Sequence, residues 1–155
     1  MFVGRLVSDK GVDTLLEALG RLAEAGLRPG LSVVGDGPEA PFLRDLVARL
    51  GLQTQVTFLG VVAGKDLVGI LNQHRVLVTP SRYQEPFGIV ALEGIACGCV
   101  VVGSAGGGLT DAIGPCGLTF PNGDAGALAV QLQRLLDDER LRVSLQSRAK
   151  EHLSQ

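Results

Sequence analysis

Three observations predict a doubly wound α/β domain built on a parallel sheet. Helix-period and strand-like segments alternate along the whole chain of 155 residues. The strand-like segments, such as Leu31–Val34 and Cys99–Gly103, are continuous apolar runs, the mark of strands buried on both faces. Glycine is the compositional signal: the 22 glycines, about twice the ~7% average, sit mostly at the ends of those runs. There a turn follows a buried strand and glycine lets the backbone approach a ligand.

Each element has a local cause. Phe2-Val3-Gly4-Arg5 reads as a strand end. Val12, Leu15, Leu16, Leu19, Leu22 and Ala23 recur at helical spacing up to Gly26. Leu31–Val34 is a strand closed by Gly35-Asp36-Gly37-Pro38, and Phe42, Leu43, Leu46, Val47 and Leu50 form the next helix face. Val56–Leu59 is a strand, 66–72 a short helix and 75–79 a strand. Residues 88–97 read as helix, 99–103 as strand, 109–113 as a short helix after the triplet Gly106-Gly107-Gly108, and 117–120 as strand. Asp124 caps a helix running to Leu136, and 138–153 reads as one last, more polar helix. No linker or composition shift interrupts the pattern, so residues 1–155 form one domain, with ligands expected at the carboxyl ends of its strands.

Composition excludes several classes. A balance of 14 Lys+Arg against 16 Asp+Glu argues against a nucleic-acid binder, which needs a basic face. At 4% aromatics with no Trp there is no stacking platform for single strands. No apolar run approaches the ~20 residues of a membrane span. Three cysteines without a CxxC pair read as reduced thiols of a cytoplasmic protein. His74 and His152 are isolated and read as structural or surface residues, and no His/Cys/Asp cluster has metal-ligand spacing.

The motifs carry unequal weight. Gly35-Asp36-Gly37-Pro38-Glu39-Ala40 matches a dinucleotide fingerprint, but the strand that should end in an acidic residue ends in Leu59-Gly60. It reads as a tight turn, with Asp36 accepting backbone hydrogen bonds and capping the helix. Gly60 to Lys65 is one residue short of a phosphate loop and lacks the following Ser/Thr. Backbone contact with a base is the functional reading left for Gly60–Val62. Arg5 and Lys10 flank the loop after the first strand; beside the plain reading as solvated charges, they could clamp a phosphate as planar fork and point charge. In Glu85-Pro86-Phe87-Gly88-Ile89, a helix start offers unpaired N–H groups to an anion. Two carboxylates so close by, Glu85 and Glu93, would engage something else, such as sugar hydroxyls. Glu93 has the apolar neighbours Ala91, Leu92, Ile95 and Ala96, an environment in which a carboxylate needs a partner. The glycine triplet reads equally as a backbone cradle or a flexible loop, and Asp111 is placed in the first turn after it.

Taken in order, Gly-Arg-Leu-x-x-x-Lys-Gly, Gly-Asp-Gly-Pro, Val-x-Phe-Leu-Gly, Pro-Ser-x-x-x-Glu-Pro-Phe-Gly and Glu-x7-Glu resemble the carboxyl-terminal, nucleotide-sugar-binding domain of group 1 glycosyltransferases (family 4). The resemblance implies a Rossmann-like domain, one half of the two-domain GT-B architecture. It implies that Arg5 and Lys10 hold the donor diphosphate, together with backbone around Phe87, Gly88 and Ile89. Glu93 would meet the ribose, Glu85 the donor sugar, and backbone at Val61 and Val62 the base. It further implies a retaining, metal-independent transfer of a hexose-type sugar from a UDP- or GDP-type donor, with no cofactor. Asp111 stands where the family often has Glu, and Asn72-Gln73-His74-Arg75 replaces its usual small-residue stretch. The amino-terminal, acceptor-binding half is expected to be missing, so the chain alone would bind donor weakly without transferring sugar. The apolar face so exposed would drive self-association, and the absent half could make the protein membrane-peripheral. Two other classes are weighed beside this one: a stand-alone dinucleotide-binding oxidoreductase, and a non-catalytic interaction domain.

Overall fold

The computed structural model describes residues 1–155. Its strands are β1 (Phe2–Val3), β2 (Leu31–Val34), β3 (Val56–Gly60), β4 (Val76–Thr79), β5 (Val100–Ser104) and β6 (Gly117–Phe120). Its helices are α1 (Val12–Glu24), α2 (Ala40–Arg49), α3 (Gly64–Asn72), α4 (Ile89–Ala96), α5 (Gly107–Ile113), α6 (Ala125–Asp137), α7 (Glu139–Ser147) and α8 (Ala149–Leu153). Every strand pairing is parallel, in the orders β1-β2-β3 and β4-β5-β6. Met1 joins the two halves. Its N–H donates to Val76 O at 2.7 Å, and its carbonyl accepts from Val78 N at 2.9 Å. That is a parallel bridge between the residue before β1 and β4, so the strands run β3-β2-β1-β4-β5-β6. Chain direction reverses its course across the sheet between β1 and β4, the switch point where ligands of doubly wound sheets bind.

Both faces of the sheet are covered. One core packs α1, α2, α6 and Leu145 of α7 on Val33, Val78, Val100 and Val102; the other packs α3, α4 and α5 on Val34, Leu77 and Val101. Neighbouring residues of one strand thus serve opposite cores, and this is why β2, β4 and β5 are apolar without alternation. The outer strands β3 and β6 are only partly covered, with Thr57 and Leu59 exposed. Asp124 caps α6 as expected, its Oδ1 accepting from Ala127 N at 2.9 Å.

The structure corrects three local expectations. Residues 138–153 are not one helix but α7 and α8, broken at Arg148. There Ser147 Oγ bonds the Ser144 carbonyl at 2.7 Å, while Arg148 reaches Pro115 O and His152 sits 2.7 Å from Ala112 O, which turns α8 onto α5. Asp36 accepts a hydrogen bond only from Gly37 N, at 2.8 Å, and does not cap α2, whose N-cap is Glu39. Because α5 begins at Gly107, Asp111 lies past its first turn. Both histidines are structural: His74 bonds Ser32 Oγ at 3.0 Å and Ile70 O at 2.7 Å, and His152 bonds Ala112.

Candidate functional site

The connection from β1 to α1 is held from two sides. Leu6 N donates to Asp36 O at 3.0 Å and Leu6 O accepts from Glu39 N at 2.9 Å. A Cβ at Gly35 or Gly37 would overlap the carbonyls of Gly4 or Leu6. The Gly35-Asp36-Gly37 turn is therefore filled by the chain's own backbone, and no pyrophosphate can approach it as a dinucleotide fingerprint requires. On the other side Gly11, at φ +70°, lies against the Pro80 carbonyl, where a Cβ would not fit. Arg82 then staples the two connections: its N–H donates to Asp9 O at 2.7 Å, its guanidinium to Ser8 O and to Asp13 Oδ2, each at 2.6 Å.

This clamp brings Lys10 to Glu85 across 75 positions of sequence. Lys10 Nζ donates to Glu85 Oε1 at 2.9 Å and to the Tyr83 hydroxyl at 3.2 Å. Ser81 Oγ donates to the same Oε1 at 2.8 Å, and the Tyr83 hydroxyl donates to Oε2 at 2.8 Å. The ammonium also lies 5.1 Å from the Tyr83 ring centroid. Burial alone would lower the pKa of Lys10, but hydrogen bonds and charge from Glu85 and Tyr83 outweigh it and the net direction is upward. Burial alone would raise Glu85, but its bonds to Lys10, Tyr83 and Ser81 and the Lys10 charge leave it lowered. Both groups are thus charged at neutral pH.

Around this pair opens a cleft of about 360 Å³ at the carboxyl ends of β1 and β4. Of the residues singled out in the sequence, Arg5, Lys10, Glu85, Phe87, Gly88 and Ile89 all line it. Arg5 is exposed and forms no ion pair. Helix α4 points its amino end at the cleft. No side chain caps it, Gly88 at φ +63° turns the chain into it, and the amides of Phe87, Gly88 and Ile89 donate to no protein atom. Such an end is electropositive. Thr79 Oγ1, buried at the end of β4 and lining the same cleft, also has no partner.

Other expectations are not brought to this cleft. Glu93 is exposed rather than embedded in apolar neighbours. Ala91, Gly94 and Ile95 take the buried face of α4, whereas Ile89, Glu93 and Ala96 share the solvent face. Glu93 lines a separate depression between α3 and α4 with Gly64, Lys65 and Cys97. Val61 is 77% exposed on the β3–α3 connection and Val62 packs on the second core, so neither lines the Arg5–Lys10 cleft. Within the glycine triplet, Gly108 is a packing device. Gly108 N donates to Glu85 O at 2.8 Å, and a Cβ there would overlap the Pro86 carbonyl. The sequence reading missed Ser81, Arg82 and Tyr83. Ser81 is the serine of the Pro-Ser-x-x-x-Glu-Pro-Phe-Gly motif, and the signal for Arg82 and Tyr83 is position alone: they are polar residues directly after β4, where the fold puts its ligands.

Fold and cleft together define a Rossmann-like domain with a cationic, helix-ended site at its switch point. Residues 1–152 match the family model of glycosyl transferases group 1, and the chain belongs to that family. One relative is the D-inositol 3-phosphate glycosyltransferase of Stackebrandtia nassauensis, 39% identical over 162 aligned positions that cover 97% of this chain and 36% of the relative. The crystal structure of Anabaena HepE in complex with UDP matches with a TM-score of 0.89 at 27% identity, covering 99% of this chain and 43% of that one. The same fold appears in the C-terminal domain of a group 1 glycosyl transferase from Francisella tularensis, at a TM-score of 0.85 and 24% identity over 99% of this chain and 82% of that one. The Rossmann-like sheet is thus that of GT-B glycosyltransferases. The chain spans 28–38% of the length of the curated relatives it matches. No helix is long and apolar enough to cross a membrane.

Proposed function

We propose that this chain binds the nucleoside diphosphate sugar of a retaining, metal-independent transferase of a hexose-type sugar. The observation that carries the reading is the convergence of Arg5, Lys10 and the free amides of Phe87, Gly88 and Ile89 on one cleft at the switch point, in a glycosyltransferase family. Those groups suit a diphosphate: a guanidinium fork, an ammonium and a helix end are the recurring anion partners. When the bond from the anomeric carbon to the phosphate oxygen breaks, its electron pair goes to the diphosphate. Fixed cations and amides stabilise that growing charge. The acceptor hydroxyl bonds the anomeric carbon and gives up its proton to the departing phosphate. Glu85, at the rim of the same cleft, faces the donor sugar. Glu93 in its neighbouring depression meets the ribose, and backbone at Val61 and Val62 meets the base.

The reading takes a UDP- or GDP-type donor, no further cofactor, and an amino-terminal domain that supplies the acceptor site, so that the chain alone binds without transferring. The UDP held by HepE supports the nucleotide class. Three free thiols suit a reducing, cytoplasmic setting. Exposed Phe87 and Ile89 at the cleft rim, 72% and 60% accessible, would drive self-association, which a concentration-dependent mass in light scattering would reveal. The decisive experiment is calorimetric titration with UDP, GDP and ADP in the presence of EDTA, on the wild-type chain and on Arg5→Ala and Glu93→Ala. One diphosphate should bind, and both variants should lose it. Silence from all three nucleotides on folded protein, or binding that needs a divalent metal, would overturn the reading.

A further inference from the structure

Tyr83 belongs to neither core and its side chain is 41% exposed. Its hydroxyl nevertheless has two defined partners, donating to Glu85 Oε2 at 2.8 Å and accepting from Lys10 Nζ at 3.2 Å. An ionised carboxylate offers about four acceptor positions, two on each oxygen. On Glu85, Oε1 is filled by Lys10 and Ser81, and Oε2 holds Tyr83 on one of its two positions. A single acceptor position remains, on Oε2, at the wall of the cleft.

We infer that Tyr83 is the positioning residue of this site: its phenol fixes the Glu85 carboxylate so that Glu85 reads one hydroxyl of the donor sugar through Oε2. The inference rests on the donor-binding reading. It separates two ends of the ligand. Arg5, Lys10 and the α4 amides serve the diphosphate, whereas Tyr83, which also touches Lys10, acts through Glu85 at the sugar. Removing its hydroxyl frees a second position on Oε2 and leaves the carboxylate held through Oε1 alone, so Oε2 is less firmly placed. The sugar hydroxyl then meets a less firmly placed oxygen, and part of the preorganisation is lost.

The test is Tyr83→Phe in the 155-residue chain, read in two ways. First, the Glu85 carboxyl is titrated by carbon NMR; without the phenol its midpoint should move upward, which establishes that the Tyr83–Glu85 hydrogen bond holds in solution. Second, UDP and UDP-glucose (or GDP and GDP-mannose, if guanine is the base that binds) are titrated by calorimetry. The nucleoside diphosphate should keep its affinity within twofold while the nucleotide sugar weakens by about fivefold, the loss of one hydrogen bond to a charged group at the low end of its range. Equal weakening of both ligands would overturn the inference, because Tyr83 would then act on the diphosphate through Lys10. So would an unchanged affinity for the nucleotide sugar, whatever the Glu85 midpoint does. Failure of the wild-type chain to bind any nucleotide would instead overturn the donor reading itself, and the sugar-reading role with it.

Discussion

Glu85→Gln should tighten the binding of a free nucleoside diphosphate. Lys10 has three N–H donors; one is spent on Glu85 and one on Tyr83, which leaves one for a phosphate oxygen. A phosphate taken up there would face the Glu85 carboxylate across the ammonium, roughly 5–6 Å away if its own hydrogen bond to Lys10 is of ordinary length. In a water-open cleft with an effective dielectric of about 40–80, that like-charge repulsion is about 1 kcal/mol per phosphate charge. Neutralising the carboxylate removes it while leaving an amide oxygen to accept from Lys10. The expected gain for UDP is about fivefold in affinity, since 1.4 kcal/mol is tenfold. The nucleotide sugar should gain less, having lost its charged acceptor. The loss of the ion pair, whose side chains are a fifth to a quarter exposed, should cost no more than about 1 kcal/mol of stability. Calorimetry on both ligands, with a thermal melt as control, reads all of this. Weaker UDP binding by a folded Glu85→Gln chain would refute the reasoning. It would mean that Glu85 serves the phosphate by aiming Lys10 rather than competing for it.

Two further outcomes follow from the geometry. Gly108→Ala forces a methyl into the Pro86 carbonyl, so it should cost about 1–3 kcal/mol and weaken UDP binding by displacing Glu85 and the start of α4; an unchanged melt would show that α5 can yield. Arg82→Ala unpins the two connections that present Lys10 and Glu85, so UDP affinity should fall severalfold while stability falls by no more than about 1 kcal/mol, because the Arg82–Asp13 pair is partly exposed. An affinity equal to wild type would show that Gly11 and Pro80 suffice to hold the clamp.

Much of the architecture was legible because its punctuation is local. Leu31–Val34 and Gly117–Phe120 were read with the bounds they have, since each apolar run is stopped by glycine or proline. That Arg5, Lys10 and Glu85 share one cleft was legible because they stand after strands, where this fold gathers its chemistry. Only the surroundings of Glu93, expected to be apolar and found exposed, were misread, because α4 is apolar nearly all round. Its composition hides which face meets the sheet, and Ile89 and Ala96 turn out to share the wet side. The break at Arg148 escaped notice because it depends on Pro115 and Ala112, more than thirty residues upstream.

Sequence alone determined the alternation of elements, the burial of the sheet on both faces and the identity of the cations, because turn chemistry and hydrophobic runs act over a few neighbouring residues. Only tertiary structure decided that Lys10 meets Glu85 rather than water, that Tyr83 and Ser81 share that carboxylate with Lys10, and that Gly108 packs on the Pro86 carbonyl. Those contacts join residues up to 75 positions apart, and their distances follow from how the β1–α1 and β4–α4 connections are pressed together at the switch point. No local pattern encodes that distance; it is the sum of every packing contact between them.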